Sequence, residues 1–517
     1  MQPTNQLTED LCYQAVRSRD ARFDGRFFTA VLTTGVYCRP ICPAVTPQRR
    51  NVRFYPCAAA AEEAGFRPCR RCRPDAAPGT PGWRGTSATV LRGLRCIDEG
   101  ALDSGSVQDL AERLGMGERQ LRRLFREHLG APPNAVARTR RAHFARQLID
   151  QTGLPMTEVA FAAGFGSLRQ FNDVMRSTFG RAPAEMRRGV AQPPGPADGL
   201  RLRVPVRAPY DWKSLLAFLT RRAIPGVEDI TPAAYRRSIV VNGMPHRIEV
   251  TFESHGPRLV LSVQPPATRG LLEIVERMNA LFDAGADPLP IGEHLRRDAV
   301  LRPLLRARPG LRVPGAWDGF ELGVRAILGQ QVSVAGASTL AGRLVQEFGV
   351  RLPEEIGGIT HLFPAAGRLA AADLTTIGLP VSRAQALRGF AREVAAGNLS
   401  LSPAASMEET RDRLLAIPGL GPWTVEYIAL RALRDPDAFP AGDLWLRRAL
   451  SSGAALISET ALRARAEVWR PWRAYAALHL WSALPATASR PAASPPVASP
   501  TSAPTPTAPR RYHARSS

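Results

Sequence analysis

Lysine is nearly missing from this 517-residue chain: Lys213 is the only one, so arginine supplies almost all of the 68 basic side chains. That excludes lysine Schiff-base chemistry anywhere but position 213. Cysteine is absent after Cys96, which excludes a four-cysteine iron–sulfur cluster toward the C-terminus. No uninterrupted apolar run approaches the ~18–20 residues of a membrane span, so no membrane partner is expected. The polar stretch Met1 to Asp10 lacks the basic-then-apolar pattern of a signal peptide, which points to the cytoplasm. Short-period repeats are absent, excluding a solenoid. Acids are also short, 46 against 68 bases, giving a net charge of +22 spread over both halves. A polyanionic partner follows, and nucleic acid is the default candidate.

What is present suffices for several cores. Hydrophobic residues make up 44% of the chain, and at roughly 100–200 residues per domain three or four domains are expected. Pro/Gly-rich breaks at 74–85 and 189–199, and a Pro/Ala/Ser/Thr tail at 485–517, divide it. The tail reads as disordered. Between the breaks, residues 86–188 read as short amphipathic helices and 200–265 alternate like strands. A helix is expected at 268–283, and the pattern from 292 to 484 is almost wholly helical. The expected fold is multidomain: a small zinc-bound α/β module at 1–77, an all-α module at 86–188, a linker at 189–199, an α+β module at 200–285 and an all-α module at 286–484.

All seven cysteines lie in the first hundred residues or so. The odd number argues against a disulfide framework. Cys38-x3-Cys42 and Cys69-x2-Cys72 instead form two short-spaced pairs, which tight turns present to one tetrahedral Zn²⁺. Cys12, Cys57 and Cys96 have no such spacing and are expected to be buried. Gly-Val-Tyr-Cys38-Arg-Pro-Ile-Cys42, Asn51-Val-Arg-Phe-Tyr and Gly65-Phe-Arg-Pro-Cys69-Arg-Arg-Cys72 resemble the N-terminal domain of Ada adaptive-response regulators. The resemblance implies that Cys38 irreversibly accepts a methyl group from a methylphosphotriester in DNA. Four thiolates around Zn²⁺ carry a formal −2, and methylating one lowers this to −1, which favours binding to phosphates. Arg39, Arg67, Arg70, Arg71 and Arg73 beside the ligands are expected either to track the backbone or to form a solvated face. A purely structural zinc site remains the alternative.

Ser106-Val-Gln-Asp109 reads as a capping box. The helix it opens ends at Gly115, and an arginine-rich helix follows from Arg119. Thr157 to Gly164 and then Leu168-Arg-Gln-Phe-Asn repeat the unit. Two helix-turn-helix units in tandem, with Phe179-Gly-Arg-Ala-Pro183, resemble the AraC-type DNA-binding domain, which implies promoter DNA as partner. Arg119, Gln120, Arg122, Arg169, Gln170 and Asn172 are the expected base-reading side chains. RNA polymerase is a further expected partner.

Leu414 to Tyr427 reads as helix, Gly419-Leu-Gly421 hairpin and second helix, with Pro422 at its first position. The turn points backbone N–H groups outward as a phosphate grip. Twenty residues past Trp423 a Gly/Pro-rich loop ends in Asp443. This arrangement resembles the helix-hairpin-helix base-excision glycosylases. Gly319 to Val334 and Trp469 to Trp481 bring it closest to AlkA-type 3-methyladenine glycosylases, over about 200–484. The resemblance implies Asp443 as catalytic carboxylate and Trp423, Tyr427 and Trp481 as walls stacking a flipped cationic base. It also implies duplex DNA as partner and a monovalent cation at the hairpin. The position of Asp443 also permits a helix N-cap, and both roles can hold together. Bifunctional relatives such as endonuclease III carry lysine where Trp423 stands, so a monofunctional enzyme is expected. The family's leucine wedge corresponds here to Gln331. No Pro-Cys-His-Arg motif of an O6-alkylguanine transferase occurs. Two readings stay open: a repair enzyme fused to a regulator, or a regulator whose C-terminal half only binds DNA.

Overall fold

The structure is a computed structural model that describes residues 7–77, 88–188, 200–402, 405–451 and 455–483. The expected linker at 189–199 and tail at 485–517 lie outside the described residues. Among these, no helix is long and apolar enough to cross a membrane.

The first module packs a four-stranded sheet, in the order Val52–Tyr55, Phe28–Val31, Val36–Cys38, Arg67–Pro68, against the alanine-rich helix Ala58–Glu63. The first three strands pair antiparallel, and the short last strand runs parallel to Val36–Cys38. That pairing carries the second cysteine pair back beside the first.

Both helix-turn-helix units form as the capping signals require. Ser106 and Asp109 exchange side-chain and backbone bonds at the start of Val107–Arg113. Gly115 and Gly164 turn each unit at φ 73° and 82°, the left-handed region that glycine enters without a Cβ penalty. The helices Glu118–Leu129 and Leu168–Phe179 follow.

The 19-residue helix Pro133–Gln151 joins the two units and threads two cores. Ala135 and Ala137 pack with the first unit and with Cys57, Ala59 and Ala60 of the zinc module. Phe144, Leu148 and Ile149 share a core with the second unit and with the sheet beyond. At its end, Gln151 Oε1 accepts from Arg203 N at 2.7 Å, and Gln147 Nε2 donates to Arg203 O at 2.9 Å. These bonds satisfy the edge strand Leu200–Pro205 of the next sheet. The two halves also meet where Arg95 donates to the carbonyls of Leu433 and Arg434, at 3.2 and 3.0 Å.

That sheet has five antiparallel strands in the order Leu200–Pro205, Arg258–Gln264, Met244–Glu253, Ala234–Val241, Glu228–Ile230. The alternating stretch 200–265 supplies all five strands, paired so that Ile248 faces Val263 and Val250 faces Leu261. Helix Leu271–Leu281 follows within the expected span.

One departure occurs in the helical C-terminal region. Val350–Ile356 and Ile359–Leu362 form a two-stranded hairpin. It turns at Gly357 and Gly358, both at positive φ, and Gly226 bridges it to the five-stranded module. A second core runs from Phe320 through Phe390 to Ile428, and packs the hairpin helices against Gly319–Leu328.

Candidate functional sites

At the zinc module, the sulfurs of Cys38, Cys42, Cys69 and Cys72 all lie within 4.8 Å of one another. Cys69 N donates to Tyr37 O at 2.9 Å, and Cys42 N to Arg39 O at 3.1 Å, so turns and sheet edge fix the set. Cys38 and Cys72 are buried, while Cys42 and Cys69 are half-buried. Hydrogen bonds from Cys38 and Cys72 pull Cys42 down to about 2, and the bond to Cys42 pushes Cys38 up. Four sulfurs this close therefore share protons unless a cation holds them all ionised. A soft divalent ion with four thiolates, such as Zn²⁺, fits this donor set. Cys12, Cys57 and Cys96 are buried elsewhere, as expected.

The basic residues around the cysteines divide. Arg39 is not spread toward solvent: its guanidinium grips Asp24, with Nε at 2.7 Å from Oδ1, and Arg39 N donates to Cys72 Sγ at 3.4 Å. Arg73 pairs with Asp75 at 2.5 Å and with Asp150 of the long helix. Both guanidiniums are engaged with carboxylates of the chain itself.

Sequence reading missed the network behind Tyr37, the neighbour of Cys38. Its hydroxyl donates to Glu62 Oε1 at 2.8 Å, and Thr139 Oγ1 donates to Glu62 Oε2 at 2.6 Å. His143 Nε2 lies 3.2 Å from Glu62 Oε1. Burial works against both charges, yet the pairing wins: His143 is raised and Glu62 lowered. The zinc module is thus tied to the helix that carries both helix-turn-helix units.

On the second helix of the first unit, Arg119 and Gln120 are exposed, while Arg122 Nε donates to Glu118 at 2.7 Å. On that of the second, Arg169 is 94% exposed, with only a 4.0 Å approach to Asp173. Gln170 Oε1 accepts from Gly166 N at 3.2 Å, and Asn172 Nδ2 donates to Leu168 O at 2.9 Å. The six expected readers thus split into three exposed side chains and three engaged with their own helix or, for Gln170, the turn before it.

The third site lies where the hairpin helix Pro422–Arg431, the short helix Leu444–Ala449 and the C-terminal helix Arg473–Ala483 meet. Asp443 is the N-cap of Leu444–Ala449, its Oδ1 accepting from Trp445 N and Leu446 N at 3.0 Å. The same oxygen accepts from Trp481 Nε1 at 3.0 Å, and Oδ2 accepts from Trp423 Nε1 at 2.9 Å. Asp443 as a whole is only 8% exposed. Capping the helix and holding two indole N–H groups coincide in one side chain. Trp423 stacks on Tyr427 with centroids 5.4 Å apart at 13°, and Trp481 stands at 59° to Tyr427, 6.4 Å away.

The hairpin is built as its glycines suggest. Gly419 sits at φ 91°, and a Cβ there would stand 2.7 Å from Ala386 Cβ. At Gly421 a Cβ would meet nothing, so the backbone is open to an approaching chain. Gln331 is exposed at φ 57° between two helices. Its neighbour Gln330 donates to Gly419 O at 3.0 Å and to Thr424 Oγ1 at 2.9 Å, lashing the Gln331 loop to the hairpin. Reading from sequence also missed Arg431, one turn after Tyr427. Its Nη1 donates to the Tyr427 hydroxyl at 3.0 Å.

Known proteins resemble the chain along most of its length. Residues 11–75 match the metal binding domain of Ada, and 110–189 match a helix-turn-helix domain. Residues 201–318 match the AlkA N-terminal domain, and 324–474 the HhH-GPD superfamily of base excision DNA repair proteins. A Mycobacterium tuberculosis protein named "Probable bifunctional transcriptional activator/DNA repair enzyme AlkA" is 44% identical over 480 residues, covering 92% of this chain and 96% of that one. The Escherichia coli DNA-3-methyladenine glycosylase 2 is 37% identical over 53% of this chain and 94% of its own length. The E. coli bifunctional transcriptional activator/DNA repair enzyme Ada is 33% identical over 35% of this chain and 50% of its own. The chain belongs to the family of bifunctional transcriptional activator/DNA repair enzymes that join Ada-type metal-binding and helix-turn-helix domains to an AlkA-type helix-hairpin-helix glycosylase.

Proposed function

We propose that this protein excises alkylated bases of the 3-methyladenine type from duplex DNA, and that its N-terminal half repairs methylphosphotriesters and regulates transcription. The observation that carries the reading is the Asp443 carboxylate held by the indoles of two pocket walls. An alkylated purine is cationic and leaves readily, so the enzyme's task is to stabilise positive charge developing on the sugar. A buried carboxylate fixed by four N–H donors does this without reorganising. It can also activate the incoming water. Trp423, Tyr427 and Trp481 stack the flipped base. Gly419 and Gly421 present backbone to a phosphate, a monovalent cation sits at that hairpin, and Gln331 fills the gap left in the duplex. With tryptophan at position 423, the product is an intact abasic site.

In the N-terminal half, Cys38, Cys42, Cys69 and Cys72 hold one zinc ion, which when bound keeps their sulfurs ionised at neutral pH. The Cys38 sulfur attacks the methyl carbon of a phosphotriester. An S–CH₃ bond forms as the O–CH₃ bond breaks, and the electron pair stays on a restored phosphodiester. The lowered negative charge strengthens DNA binding. Arg119, Gln120, Arg122, Arg169, Gln170 and Asn172 then read a promoter beside RNA polymerase. The modules occupy 1–77, 86–188, 200–285 and 286–484.

Incubation with alkylated duplex tests both activities. Free methylated purines, unbroken strands and a Cys38 peptide heavier by one methyl-for-hydrogen exchange are expected. Intact alkylated DNA with a zinc-replete, folded protein would reduce the C-terminal half to DNA binding. Equivalent loss of function in Cys38→Ser and Cys42→Ser, with no methylated Cys38, would leave the zinc site structural.

A further inference from the structure

Tyr427 is placed unlike an ordinary stacking tyrosine. A phenol has one hydrogen to donate and a lone pair to accept with. Here a buried guanidinium donates to the oxygen. Arg431 Nη1 donates to it at 3.0 Å, while Arg431 itself is buried and anchored on the carbonyls of Pro314 and Gly315, at 2.9 and 2.8 Å. Arg222, from the turn after helix Trp212–Thr220, adds a second positive charge near the same hydroxyl, while its own Nη1 donates to Phe218 O at 3.3 Å. Among the described residues nothing accepts the phenolic hydrogen.

Arginines from three elements place positive charge near Tyr427. Its own helix supplies Arg431, the α+β module supplies Arg222, and helix Gly319–Leu328 supplies Arg325. Arg325 is offset by Glu228 at 3.2 Å and Glu321 at 3.8 Å. No carboxylate stands between Arg431 or Arg222 and the ring in the bonds these two make. The remaining neighbours, Trp423 and Trp481, are uncharged, and Asp443 is bound to their indole N–H groups.

Resting on the reading of this site as the base pocket, we propose that Tyr427 acts as a phenolate, with Arg431 and Arg222 as positioning residues, and so selects cationic bases over neutral ones. Two guanidiniums behind a pocket for a cation oppose its entry. A phenolate cancels one of those two charges and puts negative charge on the ring that the base stacks on, and the released proton goes to solvent. Hydrogen bonds and nearby cations both favour the charged form. Burial alone opposes ionisation, but Arg431 and Arg222 outweigh it and bring Tyr427 down to about 8. Neutral bases gain nothing from the ionised ring, so selectivity rises with pH through that value.

The test uses the full chain with Asp443→Asn to prevent excision, and duplexes holding a non-cleavable C-nucleoside. One carries an N-methylpyridinium ring, whose charge does not titrate, and the other its neutral tolyl isostere. From about pH 7 to about pH 9 the cationic-to-neutral affinity ratio is expected to rise about 3- to 10-fold. Tyrosinate absorbance should grow in step by one residue. Tyr427→Phe and Arg431→Met should flatten the ratio, and Arg431→Lys should restore part of the slope. A flat ratio in the unsubstituted pocket, with no tyrosine ionising below the ordinary range near about 10, overturns the phenolate. Failure of both C-nucleosides to bind better than unmodified duplex at any pH would instead overturn the base-pocket reading. The absorbance titration of the free protein needs no variant, so a misfolded substitution leaves the outcome readable.

Discussion

The indole N–H of Trp423 donates to Asp443 Oδ2 at 2.9 Å, so the Trp423 ring and the carboxylate are fixed as a unit. Trp481 fixes the other oxygen in the same way, at 3.0 Å. Replacing either indole by phenylalanine keeps an aromatic wall but removes a donor that orients the carboxylate. Excision by Trp423→Phe is expected to fall about 10- to 100-fold, more than base affinity does. Single-turnover rates beside binding to a non-cleavable lesion analogue separate the two.

The pairing of His143 with Glu62 predicts how docking of the zinc module responds to pH. His143 is raised above its ordinary 6.5, so the stability it contributes is present below 6.5 and is lost as pH climbs through the higher folded value. Glu62 is lowered below 4.5, so its contribution is present above 4.5 and is lost as pH falls through the lower folded value. The melting difference between the zinc-loaded protein and its His143→Gln variant should be largest between about 4.5 and about 6.5 and shrink in alkali and in strong acid. A difference constant with pH would contradict a charged pair.

Chelation should act locally at first. The four sulfurs link two strand ends and two turns, while the alanine-rich helix behind them belongs to a core shared with the first helix-turn-helix unit. Metal removal is expected to abolish methyl transfer and loosen the first module, with glycosylase activity retained. Hydrogen exchange across residues 36–73 beside base release measures both.

Exposure distinguishes the expected promoter contacts. Arg119 and Arg169 extend outward, whereas Arg122 is committed to Glu118. Arg119→Ala should weaken specific promoter binding by about 1–3 kcal/mol. Arg122→Ala should cost about 1 kcal/mol or less. Titration at fixed salt with specific and scrambled duplexes measures each.

Local chemistry was legible in the sequence, and long-range pairing was not. The cysteine intervals, the Ser106 capping box and the Gly419 turn each act over a few residues, and the folded chain places them as spacing implies. Arg39 was legible only as a cation beside ligands, because Asp24 reaches it through the fold. The hairpin Val350–Ile356 and Ile359–Leu362 was hidden by Pro353 and two glutamates in a stretch that otherwise reads as an interruption between helices. Arg431 stands one helical turn from Tyr427, an interval visible in advance. The meaning of that interval depends on Arg222 arriving from another module, which no local pattern records. The same holds for Gln147 and Gln151, whose amides satisfy the backbone of Arg203 beyond the Pro/Gly-rich break.

The central claim is that Asp443 drives base excision. The most direct measurement is single-turnover release of methylated purines from alkylated duplex by the wild type and Asp443→Asn. Asparagine caps a helix about as well as aspartate, but its amide sets N–H against an indole N–H, costing about 1–3 kcal/mol; a melting curve confirms that the variant is folded. The account predicts release by the wild type and a loss of at least about 100-fold in the variant. Equal rates in two folded proteins would contradict it.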